Sequence, residues 1–222
     1  MEPNDLIQTI AVYALPVLFA ITLHEAAHGY AARFFGDNTA WKMGRLSLNP
    51  ARHIDPIGTV LMPALLYFIS GGSFLFGYAK PVPVRFGNLR NPKRDMIWVA
   101  LAGPMSNLVQ ALLWGCLLIV LKAMHVNEVF FIAMCAGGLN FNIALFVFNL
   151  VPLPPLDGGR ILVGLLPMRQ ALALSRVEPY GFFIVIALIY MGILNLFWMV
   201  PLAHIAHAIV NILLFPLASL LA

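Results

Sequence analysis

Two histidines and a glutamate stand within one helical turn at His24-Glu25-Ala26-Ala27-His28. The four-residue spacing puts both imidazoles on one helical face, where they can share a metal ion, and sets Glu25 beside them to take a proton from an attacking water. The chemistry such a set serves is zinc-assisted hydrolysis. The surrounding sequence is strongly apolar, and ionisable side chains in an apolar helix are costly unless they act as ligands or proton carriers. A catalytic zinc takes three protein ligands and keeps one position open. Asp157 is the best third candidate, in the run Asn149-Leu150-Val151-Pro152-Leu153-Pro154-Pro155-Leu156-Asp157-Gly158-Gly159. The prolines stop a helix and the glycine pair permits a tight turn, so Asp157 is expected on non-helical backbone aimed at the metal. The same residues also suit an N-cap for a following helix, and spacing alone leaves both readings open.

The elements that must position these residues are membrane spans. Hydrophobic residues make up 61% of the chain and charged ones 10%, with a mean hydropathy of +0.89, which excludes a soluble domain with a charged surface. Apolar runs long enough to cross a hydrocarbon core of about 30 Å recur throughout. The reading is a single all-α polytopic membrane domain over residues 1–222, with five to six transmembrane helices. A first helix is expected over 6–35, a polar irregular stretch over 36–56, and helices over 96–121 and 129–150. Between the first helix and the Gly103-Pro104 helix, residues 57–79 are broken by Pro63 and Gly71-Gly72 and read as a re-entrant or β-like segment. The motif-bearing core covers about residues 6–160, and two additional spans follow over 180–199 and 202–221.

Orientation follows the excess of Lys and Arg in cytoplasmic loops. With the N-terminus outside and 57–79 re-entrant, every Lys and Arg except Lys122 falls on the cytoplasmic side. His28 precedes Arg33 by about 7 to 8 Å of helix, so a metal there would sit just below the cytoplasmic surface and need a polar cavity for water. The net charge of +4 does not suggest nucleic acid, because the basic residues lie at span ends rather than in an aromatic-interleaved patch. Cys116 and Cys135 lie in apolar spans and read as packing residues.

Other polar residues carry less. Asn107, Asn140 and Asn142 are expected to bridge helices, and His204 and His207 to make interhelical hydrogen bonds rather than hold a second metal. His53 and Asp55 could line an active-site entrance or build a structured turn.

Taken together, His24 to His28, Gly103-Pro104-Met105-Ser106-Asn107 and Asn149 to Gly158 resemble the motifs of the site-2 protease family of intramembrane zinc metalloproteases. The run from Leu48 to Gly58 resembles its compact bacterial branch, which lacks PDZ and CBS domains. The resemblance implies one zinc ion per chain held by His24, His28 and Asp157, Glu25 as general base, and Asn149 polarising the scissile carbonyl. It further implies a location in the cell membrane and, as substrates, transmembrane proteins or signal-peptide-like segments cut within the bilayer. Two other readings compete. An ion transporter would give flux without proteolysis, but no inverted repeat is visible. A non-cutting helix binder would have no need of Glu25.

Overall fold

The computed structural model describes residues 3–62 and 80–221, together with Leu65 and Ile69. Among them there are helices and loops but no strands. Helix α1 spans Pro3–Phe34, and a single turn, α2, spans Thr39–Lys42. Two long helices follow, α3 over Pro92–Ala123 and α4 over Val129–Asn149. Three short ones come next: α5 over Asp157–Leu165, α6 over Met168–Ser175 and α7 over Glu178–Tyr190. Helix α8, over Val200–Leu221, continues from a π-helical turn at Asn195–Met199. Among the described residues four stretches are long and apolar enough to cross a membrane: Gln8–Phe34, Pro92–Ala123, Val129–Asn149 and Asn195–Leu221. Helices α6 and α7 qualify only as a pair, bent by 67°.

Helix α3 is the centre of the bundle, packed against α1, α4, α5 and α8. Its start is set locally. Pro92 occupies the first turn, where a missing N–H costs nothing, and the Asp95 carboxylate accepts the Asn91 N–H at 2.7 Å. Small residues let its neighbours approach. A Cβ on Gly115 would fall 2.4 Å from Leu214 of α8, and one on Gly138 of α4 would fall 2.6 Å from the Trp114 ring. Ala111, Ile143, Val147, Ala206, Val210 and Leu214 form the dry core where α3, α4 and α8 meet.

The final spans differ in their boundaries from the expected ones. The chain breaks at Gly192, with φ +71°, and not between residues 199 and 202. Pro201 does not break the helix: it directly follows the π-helical turn Asn195–Met199, and the helical stretch runs on from Asn195 to Leu221. Residues 56–61 form a π-helical turn capped by Asp55, which accepts the Ile57 and Gly58 N–H groups. Most of the expected re-entrant segment at 57–79, and the polar cavity expected beside it, lie outside the described residues.

Candidate metal centre

His24, Glu25 and His28 sit on α1 as the spacing requires, and their partners come from α3 and α5. His24 Nδ1–H donates to Asn107 Oδ1 at 2.7 Å, and His28 Nδ1–H donates to the Val99 carbonyl at 2.7 Å. Both assignments are forced. A carbonyl only accepts, and the Asn107 amide nitrogen is already committed to the Ala20 carbonyl and to Asn142 Oδ1. In the neutral imidazole each ring then turns a lone pair at Nε2 toward the other, 3.0 Å away. Asp157 Oδ2 lies 3.2 Å from both Nε2 atoms.

Asp157 Oδ2 is buried and has no hydrogen-bond donor among the described residues. Three acceptor atoms converging in a buried space repel one another unless a cation or a shared proton lies between them. A tetrahedral zinc with bonds of about 2.0 to 2.1 Å sets its ligand atoms about 3.3 to 3.4 Å apart. The observed separations of 3.0 to 3.2 Å nearly match that edge, so the three residues fit a metal ion.

Gly103 makes the approach possible. A Cβ there would fall 2.3 Å from His28 Nε2 and 2.7 Å from His24 Cε1, so any larger residue would push the rings away. Asp157 is the first residue of α5, not a residue on non-helical backbone, and the N-cap is Leu156. Gly158 and Gly159 are needed for contact rather than for a turn. Their Cβ atoms would fall 2.2 Å from the Leu150 carbonyl oxygen and 2.1 Å from the Pro154 nitrogen. The prolines and glycines thus pack the start of α5 directly onto the end of α4. There the partial positive charge of a helix N-terminus favours a carboxylate.

Glu25 is half-buried next to this cluster, and its Oε2 accepts the Val82 N–H at 2.7 Å. Pro81 and Pro83 flank Val82 and have no N–H, so this is the donor that stretch of backbone offers. The loop is braced behind it. Arg45 donates to the Lys80 carbonyl at 3.0 Å and also to the Arg52 carbonyl, and the Lys80 N–H donates to the His53 carbonyl at 2.9 Å.

Asn149 is the last residue of α4, and its side-chain amide donates to the Leu145 carbonyl one turn back. It is not one of the converging ligand groups. His53 is buried and donates from Nε2 to the Ser47 carbonyl at 2.8 Å, and Asp55 is an N-cap, so both build the turn. His207 pairs with Asn140 across α8 and α4, while His204 bonds within its own helix.

The family model of peptidase family M50 matches residues 120–193, the stretch that holds Asn149 and Asp157. A provisionally named zinc metalloprotease, YwhC of Bacillus subtilis strain 168, is 40% identical over 182 residues, covering 78% of each chain. Rip2 of Mycolicibacterium smegmatis, also provisionally named a zinc metalloprotease, is 32% identical over 80% of this chain and 66% of its own. Rip2 of Mycobacterium tuberculosis H37Rv is 28% identical over 86% of this chain and 73% of its own. No solved structure gives a significant match.

Proposed function

The chain belongs to peptidase family M50, the site-2 proteases, and on that premise we propose that it cuts peptide bonds of membrane-protein substrates within the bilayer. It is a zinc-dependent metalloprotease on a multi-pass membrane scaffold. The finer reading is carried by one observation: three buried acceptor atoms converge while the far nitrogen of each imidazole is already donating elsewhere.

In this reading His24, His28 and Asp157 hold one zinc ion per chain. Zinc, when bound, supplies Lewis acidity to the scissile carbonyl and to the attacking water. Glu25 takes a proton from that water and returns it to the leaving amine. The Val82 N–H fixes Glu25 Oε2, which leaves Oε1 to carry the proton. Asn149 turns its amide from the Leu145 carbonyl toward the oxygen that gains charge during attack. A substrate helix hides its carbonyls in its own hydrogen bonds, so it must unwind first, and Gly, Asn or Pro near the cut makes that easier. The excess of basic residues in the loops supports an outside N-terminus and a site near the cytoplasmic face of the cell membrane.

The test is Glu25→Gln. It keeps the shape of the side chain but removes the base, and should reduce cleavage of a reconstituted membrane substrate by about 10² to 10⁴ while zinc stays bound. Unchanged turnover would remove Glu25 from the reaction.

A further inference from the structure

Between the end of α1 and the first turn of α3 the chain carries three acidic residues, Asp37, Asp55 and Asp95, and each spends its carboxylate on backbone. Asp37 accepts the Thr39 and Arg85 N–H groups, Asp55 the Ile57 and Gly58 N–H groups, and Asp95 the Asn91 N–H. Asp37 and Asp95 are also buried. The neighbouring cations are not. Arg33, Lys42, Arg85 and Arg90 are exposed, and among the described residues none of them has a carboxylate partner. The cytoplasmic bias of Lys and Arg accounts for cations at the end of a span. It is nearly indifferent to acidic residues, so it does not account for carboxylates turned away from every one of these cations.

Lys42 and Arg85 both line a cavity of about 490 Å³ just beyond the end of α1, together with Gly36, Thr39, Met43 and Asn88. Arg90 stands behind Gly36, where a Cβ would fall 3.3 Å from its Cγ. The Asn88 amide donates to Asp37 Oδ1 and Thr39 Oγ1 at 3.1 and 3.2 Å, which fixes that part of the wall. Three cations against the one inward-turned Asp37 carboxylate leave a surplus of positive charge, and the pocket suits an anion.

The rim says which anion. Met43 is 63% exposed, and Trp41 close by is 53% exposed and lies under the Arg33 guanidinium at 4.8 Å. Phe34, the last residue of the Gln8–Phe34 span, is 71% exposed. A soluble anion gains nothing from apolar side chains beside a cationic pocket. A phospholipid offers its phosphate to the cations and its glycerol and acyl carbons to the rim, at the depth where tryptophan sits in a bilayer. We propose that this pocket binds the headgroup of an anionic phospholipid, with Lys42 and Arg85 on the phosphate and Trp41 and Met43 along the first acyl carbons. The proposal rests on the membrane spans and is independent of the peptidase reading.

The test is native mass spectrometry of the full-length chain, titrated in detergent micelles with phosphatidylglycerol or phosphatidylcholine of the same acyl chains. The wild type should retain phosphatidylglycerol over phosphatidylcholine. Lys42→Gln should weaken the apparent affinity for phosphatidylglycerol about fivefold, and Lys42→Gln combined with Arg85→Gln about 25-fold. These are the weights of one and of two basic side chains at an anionic membrane surface. Both side chains are exposed, so melting temperatures should stay close to wild type. The Arg85 N–H braces Asp37, so Lys42→Gln alone carries the test should the double variant misfold. A control pair, Arg94→Gln with Arg169→Gln, removes the same charge from exposed positions outside the pocket and should leave retention close to wild type. No preference for phosphatidylglycerol, or an equal loss in the control pair, overturns the proposal. Glycerol 3-phosphate has the phosphate without the acyl chains and should fail to displace the lipid. Displacement at equal concentration would make the pocket a site for a soluble anion and overturn the lipid assignment.

Discussion

Replacing Asn107 with alanine tests whether the metal site depends on its support from α3. Asn107 is fully buried and makes three bonds: it accepts from His24 Nδ1 at 2.7 Å and donates to the Ala20 carbonyl and to Asn142 Oδ1. Alanine leaves the His24 N–H and Asn142 Oδ1 buried without partners, at about 1–3 kcal/mol each, so about 2–6 kcal/mol of stability is at stake. The metal should be affected separately. His24 loses the acceptor that fixes its tautomer and its ring orientation, and losses of this kind reduce metal affinity about 10- to 100-fold, or about 1.4 to 2.7 kcal/mol. Asn107→Asp keeps an acceptor facing Nδ1, so its zinc affinity should stay closer to wild type even though it loses both donor bonds. The assay is zinc competition against a fluorescent chelator at one neutral pH, alongside thermal melting of each variant. Wild-type affinity in Asn107→Ala, or equal losses in both variants, would refute the supporting role of Asn107.

Two other perturbations separate positioning from folding. Gly103→Ala should abolish zinc binding, because its Cβ would fall 2.3 Å from His28 Nε2, while the helix gains up to about 1 kcal/mol of intrinsic propensity. Zinc content together with the melting temperature checks this, and a zinc-replete variant would contradict it. Asp37 lies in the loop after α1. Burial alone would push its carboxyl up, but hydrogen bonds from Thr39, the Arg85 N–H and Asn88 outweigh that and hold it below the usual range. Because its value is depressed on folding, the stabilisation is present above the unfolded value of about 3.9 and is lost as pH falls through the folded one. Asp37→Ala should therefore be less stable by about 1–3 kcal/mol at neutral pH and should lose less on acidification than wild type. Parallel melting curves against pH would rule this out.

The parts of the site that depend on local spacing were legible in the sequence. His24 and His28 fall on one helical face whatever surrounds them, and the long apolar runs announce membrane helices. Asp157 was legible as a residue but not in its setting. Pro152 to Pro155 and Gly158-Gly159 suggested a loop, whereas Gly158 and Gly159 let the start of α5 press against the backbone of Leu150 and Pro154, a contact that exists only after folding. Asn107 was legible as a helix bridge, and it does bridge helices. Its bond to His24 joins residues 83 positions apart, beyond the reach of any local pattern. The same applies to the Val82 N–H on Glu25 and to Gln110, whose buried amide has no partner among the described residues and which looks in sequence like any polar residue in a span. The boundary between the last two spans was expected between residues 199 and 202, whereas the chain breaks at Gly192 and the helical stretch from Asn195 runs through Pro201.

The most direct test of the central claim is zinc content by mass spectrometry on the purified wild-type chain beside His24→Ala and Asp157→Ala. About one zinc per wild-type chain, lost in both variants, is the result the converging geometry predicts. A folded wild-type chain without zinc would contradict the metal centre, and stoichiometric zinc that survives Asp157→Ala would contradict its third ligand.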